Sequence, residues 1–484
     1  MVFLSAVLLP IVLGTAAALL HVSYAGKKIL YTAVLILTDL LALLSLAYPP
    51  SMSFFRLTED VIFGFSLDAT GKWFLLGVVL LYSAALFYAF SYMEHDPHPD
   101  IFFAFYFVSY GAMLSICAAS NLVTLYFCFE IATLTSVPLV LQERTKEAIA
   151  AALKYLFYSI GGALLGLWGV FYVYLYSVPD KDFRLSGILD PAKYAGHENL
   201  LLAVIFIAII GFGTKAGLYP MHGWLPTAHP IAPAPASALL SGIIAKAGVL
   251  AVIRLVYFSV GAQFLRGTWV QTAWMCLCML TIFMGSMMAF REKITKKRLA
   301  YSTISQISYL LLGLSFLSPE GFSAGMLQFM AHASAKGCLF LCAGIFMHNA
   351  GKTRVDELRG LGRRMPFVFW CFLFAALSLV GIPPMGGFSA KWYLALASLG
   401  NGYGVLSVLP VVILLISALL TAGYTFPIVI DGFFPGKDFA GESDEKIRVP
   451  YAMLIPLAVF CTVSLLVGLY GSRIAAFFMN TLTR

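Results

Sequence analysis

Charge is scarce in this chain. Of its 484 residues only 11% are Asp, Glu, Lys or Arg while 61% are apolar, and the mean hydropathy is +0.89. Soluble domains hold about 45–50% apolar residues, so a soluble fold is excluded and a polytopic membrane protein is expected. Cofactor signatures are missing too: the chain has no Cys-x-x-Cys pair, no Gly-x-Gly-x-x-Gly fingerprint and no P-loop. Its eight cysteines, including Cys276, Cys278, Cys338 and Cys342, fall inside apolar runs and are read as small packing residues. No cofactor and no metal is expected. The histidine- and acid-rich stretch Glu94 to Asp100 has the composition of a metal site, but its prolines suit a solvated turn. The formal charge of +8 could suggest nucleic acid, yet the basic residues fall in short loops between apolar runs instead of forming a face or a tail.

What is present is a succession of apolar runs, each near the roughly 20 residues that a helix needs to cross a bilayer. They centre near residues 12, 38, 82, 108, 130, 162, 207, 245, 280, 308, 335, 372 to 395 as one broken helix, 418 and 463, about fourteen in all. The first run, Phe3 to Leu20, is followed and not preceded by basic residues, Lys27 and Lys28, so it reads as a membrane helix and not as a cleaved signal. Basic clusters at Lys27 and Lys28, Arg144 and Lys146, Arg291 to Arg298, and Lys352 to Arg364 all fall in loops on one side. By the positive-inside rule that side is cytoplasmic, which puts both termini outside the cell membrane.

Two stretches break the pattern. In Gly211 to Gly242, GFGTKAGLYPMHGWLPTAHPIAPAPASALLSG, Pro220 must interrupt a helix just after Lys215. In LVGIPPMGGFSAKWYL, Pro383 and Pro384 with Gly381, Gly386 and Gly387 interrupt another just before Lys391. Irregular backbone at membrane depth is tolerated only where protein or a water-filled cavity satisfies it. Two such breaks in corresponding places are the mark of a repeated transport unit. Five helices separate them, an odd offset that turns the second unit upside down. Lys215 precedes its break and Lys391 follows its own, which a simple copy does not explain.

The deep charges cluster around these breaks. Glu130 lies about 15 Å from either end of its helix, too far for a glutamate to reach water. Lys246 is in the middle of LLSGIIAKAGVLAVIRL, and His332 and Lys336 stack four residues apart on one helix face. Each mid-membrane charge costs about 2.5–3.5 kcal/mol. Packing alone requires none of them, and one deep acid for at least four deep bases disfavours a set of structural ion pairs. If Glu130 moved from about 4 to about 8 Å from Lys215, their attraction would fall from ~4 to ~2 kcal/mol at an effective dielectric near 20, enough to release a proton toward Lys246, His332, Lys336 and Lys391. Other groups have bland readings. Asp68 suits a helix start, Lys154 can snorkel, Arg254 caps an external helix end, and the stripe Ser302, Ser305, Gln306 and Tyr309 serves hydrogen bonding between helices as well as it serves transport.

At FCFEIATLTSVPLVL, FGTKAGLYPMHGWLPTAHPIAPAPASALLSG, KAGVLAVIR, RLAYSTISQISYLLLGL, HASAKGCLFLCAG and GIPPMGGFSAKW the chain resembles the antiporter-like membrane subunits shared by respiratory complex I, Mrp cation/proton antiporters and membrane-bound energy-converting hydrogenases. The resemblance runs from Asp68 to about Phe434. It implies an all-α fold of about fourteen helices with two inverted five-helix units, each with a broken helix. It also implies that Glu130 and Lys215 form the pair of the first half-channel, Lys246 links the halves, His332 and Lys336 continue the axis and Lys391 ends it. The expected divisions are 1–100, a three-helix segment; 101–258 and 259–434, the two units; and 435–484, a last helix. The resemblance further implies proton translocation, with Na⁺/H⁺ exchange in some members, inside a complex whose partners are other membrane subunits, further antiporter-like subunits and peripheral Fe–S redox subunits. Such a chain holds no redox centre itself and resides in the cell inner membrane. Two other classes stay open: a free-standing proton-coupled solute transporter, and a structural anchor in which the charges are relics.

Overall fold

Residues 1–436 and 445–483 are described by the computed structural model. Residues 437–444, within the expected last segment, and Arg484 lie outside them. The described chain is almost entirely helical, as its composition requires. In an apolar medium a helix is the way for one segment to satisfy all its own amides.

The principal helices are α1 Val2–Leu19, α2 Tyr24–Ala47, α3 Ala69–Tyr92, α4 Pro99–Cys117, α5 Leu122–Val140, α6 Lys146–Leu175 and α7 Glu198–Ala216. After the first break come α8 Leu225–Ile231 and α9 Ala234–Val260, then α10 Trp269–Arg291, α11 Thr295–Ser315 and α12 Pro319–Ala350. The second break separates α13 Pro366–Val380 from α14 Gly386–Gly400, and α15 Val405–Phe433, α16 Tyr451–Leu469 and α17 Gly471–Thr483 complete the chain. Twelve of the described helices are long and apolar enough to cross a membrane. Their starts are written locally. Ser23, Asn121, Thr145 and Ser318 each accept a hydrogen bond from the amide three residues on, the N-cap arrangement.

The chain forms two contact units. The first comprises Met1–Ser83, Glu94–Trp224 and Ile243–Trp274, and the second comprises Ala84–Met93, Leu225–Gly242 and Met275–Arg484. In the first, α6 lies tightly on α7 because glycines line the seam. A Cβ at Gly162 would stand 2.6 Å from the Gly211 carbonyl oxygen, and one at Gly169 would overlap the Ala208 Cβ. This is the small-residue packing that draws membrane helices together, and it fixes the end of α7 that carries Lys215. In the second, α12 is buried along its whole apolar length. It packs against α11, α13, α14, α16 and α17.

Two features depart from expectation. Residues between α2 and α3 fold into an antiparallel hairpin, β1 Ser51–Arg56 and β2 Ile62–Ser66. Its Phe54, Phe63 and Phe65 rings pack together, and the Ser66 amide donates to the Ala118 carbonyl at 2.6 Å. Strands this short vanish in a hydropathy window sized for helices. The C-terminal segment is also two helices and not one, since α16 ends at Leu469 and α17 begins at Gly471. One face of α17 is buried at Ala475 and Phe478, and Phe478 meets Phe322 of α12.

Candidate functional site

In the first unit, α7 ends as Gly217 turns left-handed at φ +82°, a conformation glycine adopts without steric cost. Lys215 therefore occupies the last turn, with 1% of its surface exposed. Its Nζ donates to Tyr155 Oη at 2.5 Å and to Thr133 Oγ1 at 3.0 Å, and lies 4.4 Å from the Tyr155 ring centroid. Tyr155 Oη shares a further 2.7 Å hydrogen bond with Ser136, and its ring packs on Trp224, whose Nε1 donates to the Thr214 carbonyl. Glu130 is half-buried on α5, accepts a hydrogen bond from Tyr126 and acts on Lys215 electrostatically. Among the described residues the two make no direct ion pair; hydroxyls hold the lysine. Lys246 is fully buried on α9. That helix presses on the end of α7 at Gly248, where a Cβ would stand 2.8 Å from the Lys215 Cβ.

The second unit holds the other three residues. Lys336 of α12 is fully buried and donates to the Leu299 carbonyl at 2.9 Å and to Ser302 Oγ, both on α11. His332 is buried one turn earlier on the same face. Lys391 sits in the second turn of α14 and reaches back across the break, donating to the carbonyls of Leu379 at 2.5 Å and Val380 at 2.9 Å. These are the terminal carbonyls of α13, groups a helix end leaves without an internal partner. Gly381, at φ +92°, lets the lysine pass. A Cβ there would stand 2.8 Å from the Lys391 Cδ.

The polar stripe of α11 runs between the two lysines. Ser302 meets Lys336, Gln306 donates through Nε2 to the Leu379 carbonyl at 3.3 Å and accepts at Oε1 from Gln328 Nε2 at 3.1 Å, and the Tyr309 ring lies 5.0 Å from Lys391 Nζ. Ser302 and Gln306 are one turn apart. Lys336 thus bonds Ser302 at one end of a short polar strip, and at the other end Gln306 shares the Leu379 oxygen with Lys391.

The chain matches the model of the transmembrane family described as NADH:quinone oxidoreductase/Mrp antiporter over residues 119–419. It belongs to that family. Among its relatives, NADH-quinone oxidoreductase subunit N of Desulforudis audaxviator is 32% identical over 404 residues, which cover 81% of this chain and 79% of that one. Hydrogenase-4 component B of Escherichia coli is 28% identical over 435 residues, which cover 86% of this chain and 63% of the longer component. Among solved structures, a chain of the membrane-bound sulfane sulfur reductase, an archaeal respiratory membrane complex, superposes with a TM-score of 0.83 at 22% identity, covering 99% of this chain and 96% of that one. At that identity the likeness is one of fold.

The family fold also buries charges that sequence reasoning passed over or misread. Arg254, read as a cap at a helix end, is 2% exposed and donates to both carboxylate oxygens of Asp68, each at 2.7 Å, with its guanidinium between the Phe183 and Phe258 rings. Burial would push the Asp68 carboxyl up, but the Arg254 charge and hydrogen bonds outweigh it and hold the carboxyl below its ordinary value. Lys296, counted with a basic loop, is buried in the first turn of α11 and donates to the Ala232 carbonyl at 2.9 Å, between α8 and α9. His229 of α8 is fully buried and stacked on Phe340 of α12 at 4.6 Å, within electrostatic reach of Lys336 and Lys296. The only signal for it was its place in the block around the first break. The expectation of one deep acid is also revised, because Asp39 lies at mid-helix in α2. The Glu94 to Asp100 turn is held by ion pairs of Lys28 with Glu94 at 3.4 Å and of Lys27 with Asp100 at 2.7 Å.

Proposed function

We infer that this chain is an ion-translocating, antiporter-like subunit of a multisubunit membrane complex, and that the ion is the proton, moved alone or in exchange for Na⁺. The observation that carries the reading is Lys215, a fully buried ammonium placed at a helix break and held by two hydroxyls, with a carboxylate in electrostatic reach instead of in contact. A lysine in a fixed structural ion pair has its charge neutralised by contact. A lysine whose acid acts from a distance changes its hold on a proton when that distance changes, since the attraction falls as the reciprocal of separation.

The path begins at Glu130, Lys215 and Lys246 in the first unit and continues through His332, Lys336 and Lys391 in the second. In the second unit the hydroxyl of Ser302 and the amide of Gln306 supply the hydrogen-bonding groups between the two lysines. The relatives named above are subunits or components of larger assemblies, which favours this reading over a free-standing solute transporter. The driving energy comes from a partner, either a peripheral Fe–S enzyme that oxidises a donor or an opposing ion gradient. The complex resides in the cell inner membrane with both termini of this chain outside.

Replacing Lys215 by Ala in the assembled complex, reconstituted in vesicles carrying a pH-sensitive dye, is expected to cut proton movement at least tenfold while subunit composition by mass spectrometry stays unchanged. Wild-type transport by an assembled Lys215→Ala complex would sink the reading.

A further inference from the structure

The path above leaves one deep carboxyl unused. Asp39 lies eight residues before the end of α2, roughly 12 Å inside the nearer helix end at 1.5 Å per residue, and it is half-buried at that depth. Packing does not explain it. Apart from Thr38, whose hydroxyl donates to the Val34 carbonyl at 2.7 Å, the surrounding α2 positions are apolar, with Ile36, Leu37 and Leu40 facing outward. An aliphatic residue there would avoid a cost of about 2.5–3.5 kcal/mol for a charge at mid-membrane. Among the described residues no cation pairs with it. Its two oxygens instead meet two hydroxyls, Tyr110 Oη at 2.5 Å from Oδ1 and Ser83 Oγ at 2.6 Å from Oδ2.

The Ser83 hydroxyl gives the site two balanced states. Its oxygen lies 2.6 Å from Asp39 Oδ2 and 2.7 Å from the Val79 carbonyl oxygen, and it carries one hydrogen to share between them. With Asp39 ionised, Ser83 donates to the carboxylate. With Asp39 protonated, the carboxylic acid donates to Ser83 Oγ, and the Ser83 hydrogen turns to the Val79 carbonyl. Tyr110 donates to Oδ1 in both states. Either way every polar atom of the cluster keeps a partner, so gaining or losing the proton leaves no buried group unsatisfied.

The cluster also leads toward the lysine of this unit. The Tyr110 ring stacks on Tyr82 with centroids 4.6 Å apart, and Tyr82 donates to Ser109 at 3.0 Å. Tyr82 and Tyr110 are fully buried, and Tyr82 lies within electrostatic reach of Tyr155, which binds Lys215.

We propose that Asp39 is a further proton-exchanging residue of the first unit, binding and releasing its proton against the Ser83 hydroxyl as ions move past Lys215. The inference rests on the proton-translocation reading. A structural role has a different signature, because asparagine keeps both hydrogen-bonding positions and would hold α2 to α3 and α4 as well as aspartate does.

The test uses Asp39→Asn, Asp39→Glu and Ser83→Ala in the intact complex, reconstituted in vesicles beside the wild type and Lys215→Ala. Asp39→Asn is expected to lower proton movement at least fivefold, and Asp39→Glu to restore half or more of it. Infrared difference spectra, recorded on a pH step in H₂O and D₂O, are expected to show a protonated-carboxyl band that Asp39→Asn removes and Ser83→Ala shifts. Wild-type transport by Asp39→Asn beside an inactive Lys215→Ala overturns this proposal and leaves the general reading standing. If Asp39→Asn fails to assemble, Ser83→Ala decides: an unshifted band with unchanged transport overturns the proposal, and a shifted band with slowed transport supports it. If Lys215→Ala is itself fully active, the translocation reading fails, and the infrared band alone still shows whether Asp39 exchanges a proton.

Discussion

The two helix breaks solve one problem with different chemistry. At the first, Lys215 stands before the break and spends its ammonium on side chains from neighbouring helices, Tyr155 and Thr133. At the second, Lys391 stands after the break and folds back onto backbone, the orphan carbonyls of Leu379 and Val380. The order of lysine and break follows from these partners. A lysine in the last turn of a helix presents its head to the helices packed beside it, whereas one in the second turn of the next helix lies over the carbonyls that the previous helix left open. The first arrangement depends on residues chosen elsewhere in the chain. The second depends on the break itself.

That contrast is open to direct attack. The largest effect is expected from Tyr155→Phe against Tyr309→Phe. The first removes the shorter of two hydrogen bonds to Lys215 and should slow transport at least fivefold, while the second keeps the ring beneath Lys391 and should stay within twofold. Equal losses in a vesicle assay would show that the lysines are held alike. Next come Gly217→Ala and Gly381→Ala. Both force a side chain into a left-handed turn, at about 1–2 kcal/mol each, and at Gly381 the new methyl also meets the lysine stem, 2.8 Å away at Cδ. Gly381→Ala should therefore lower the thermal midpoint of the purified complex further and slow transport, and a larger loss from Gly217→Ala would reverse the comparison.

The smallest effect concerns pH and a charge that uses neither solution. Asp68 pairs directly with Arg254 through two hydrogen bonds, and its carboxyl is held below the ordinary value near 3.9. A depressed folded value means that the stabilisation is complete above about pH 4 and is lost as pH falls through the lowered value. The gap in thermal midpoint between wild type and Asp68→Asn should then be flat from neutrality down to about pH 4 and close only below it. A gap that already closes between pH 7 and 5 would contradict the assigned pairing.

Much of the fold was legible in residue order. The apolar runs at residues 12 to 463 announce helices because a bilayer leaves the backbone no other partner. Pro220 and the Pro383–Pro384 pair announce breaks because proline cannot donate within a helix. Lys215 and Lys391 stood out because each was an isolated charge beside such a break. Less legible was anything decided by a partner far along the chain. Arg254 looked like a helix cap because Asp68, its partner, is 186 residues away. Lys296 looked like one more loop cation, although its ammonium meets the carbonyl of Ala232. Asp39 was hidden in a run of leucines, and nothing near it in sequence reveals Ser83 or Tyr110. The hairpin at Ser51–Arg56 and Ile62–Ser66 was lost for another reason, being shorter than the window through which membrane helices are seen.

By itself the sequence determined that this chain crosses a membrane many times, that two helices break, and that lysines stand at both breaks. Those are consequences of local chemistry: hydropathy over a span, a missing amide hydrogen, a charge among leucines. Only the tertiary structure decided which group each buried charge meets: hydroxyls for Lys215, backbone carbonyls for Lys391, a carboxylate for Arg254 and a shared serine hydrogen for Asp39. A polar group in an apolar interior takes its energy from atoms within about 3 Å, and helix packing, not residue order, brings those atoms within reach.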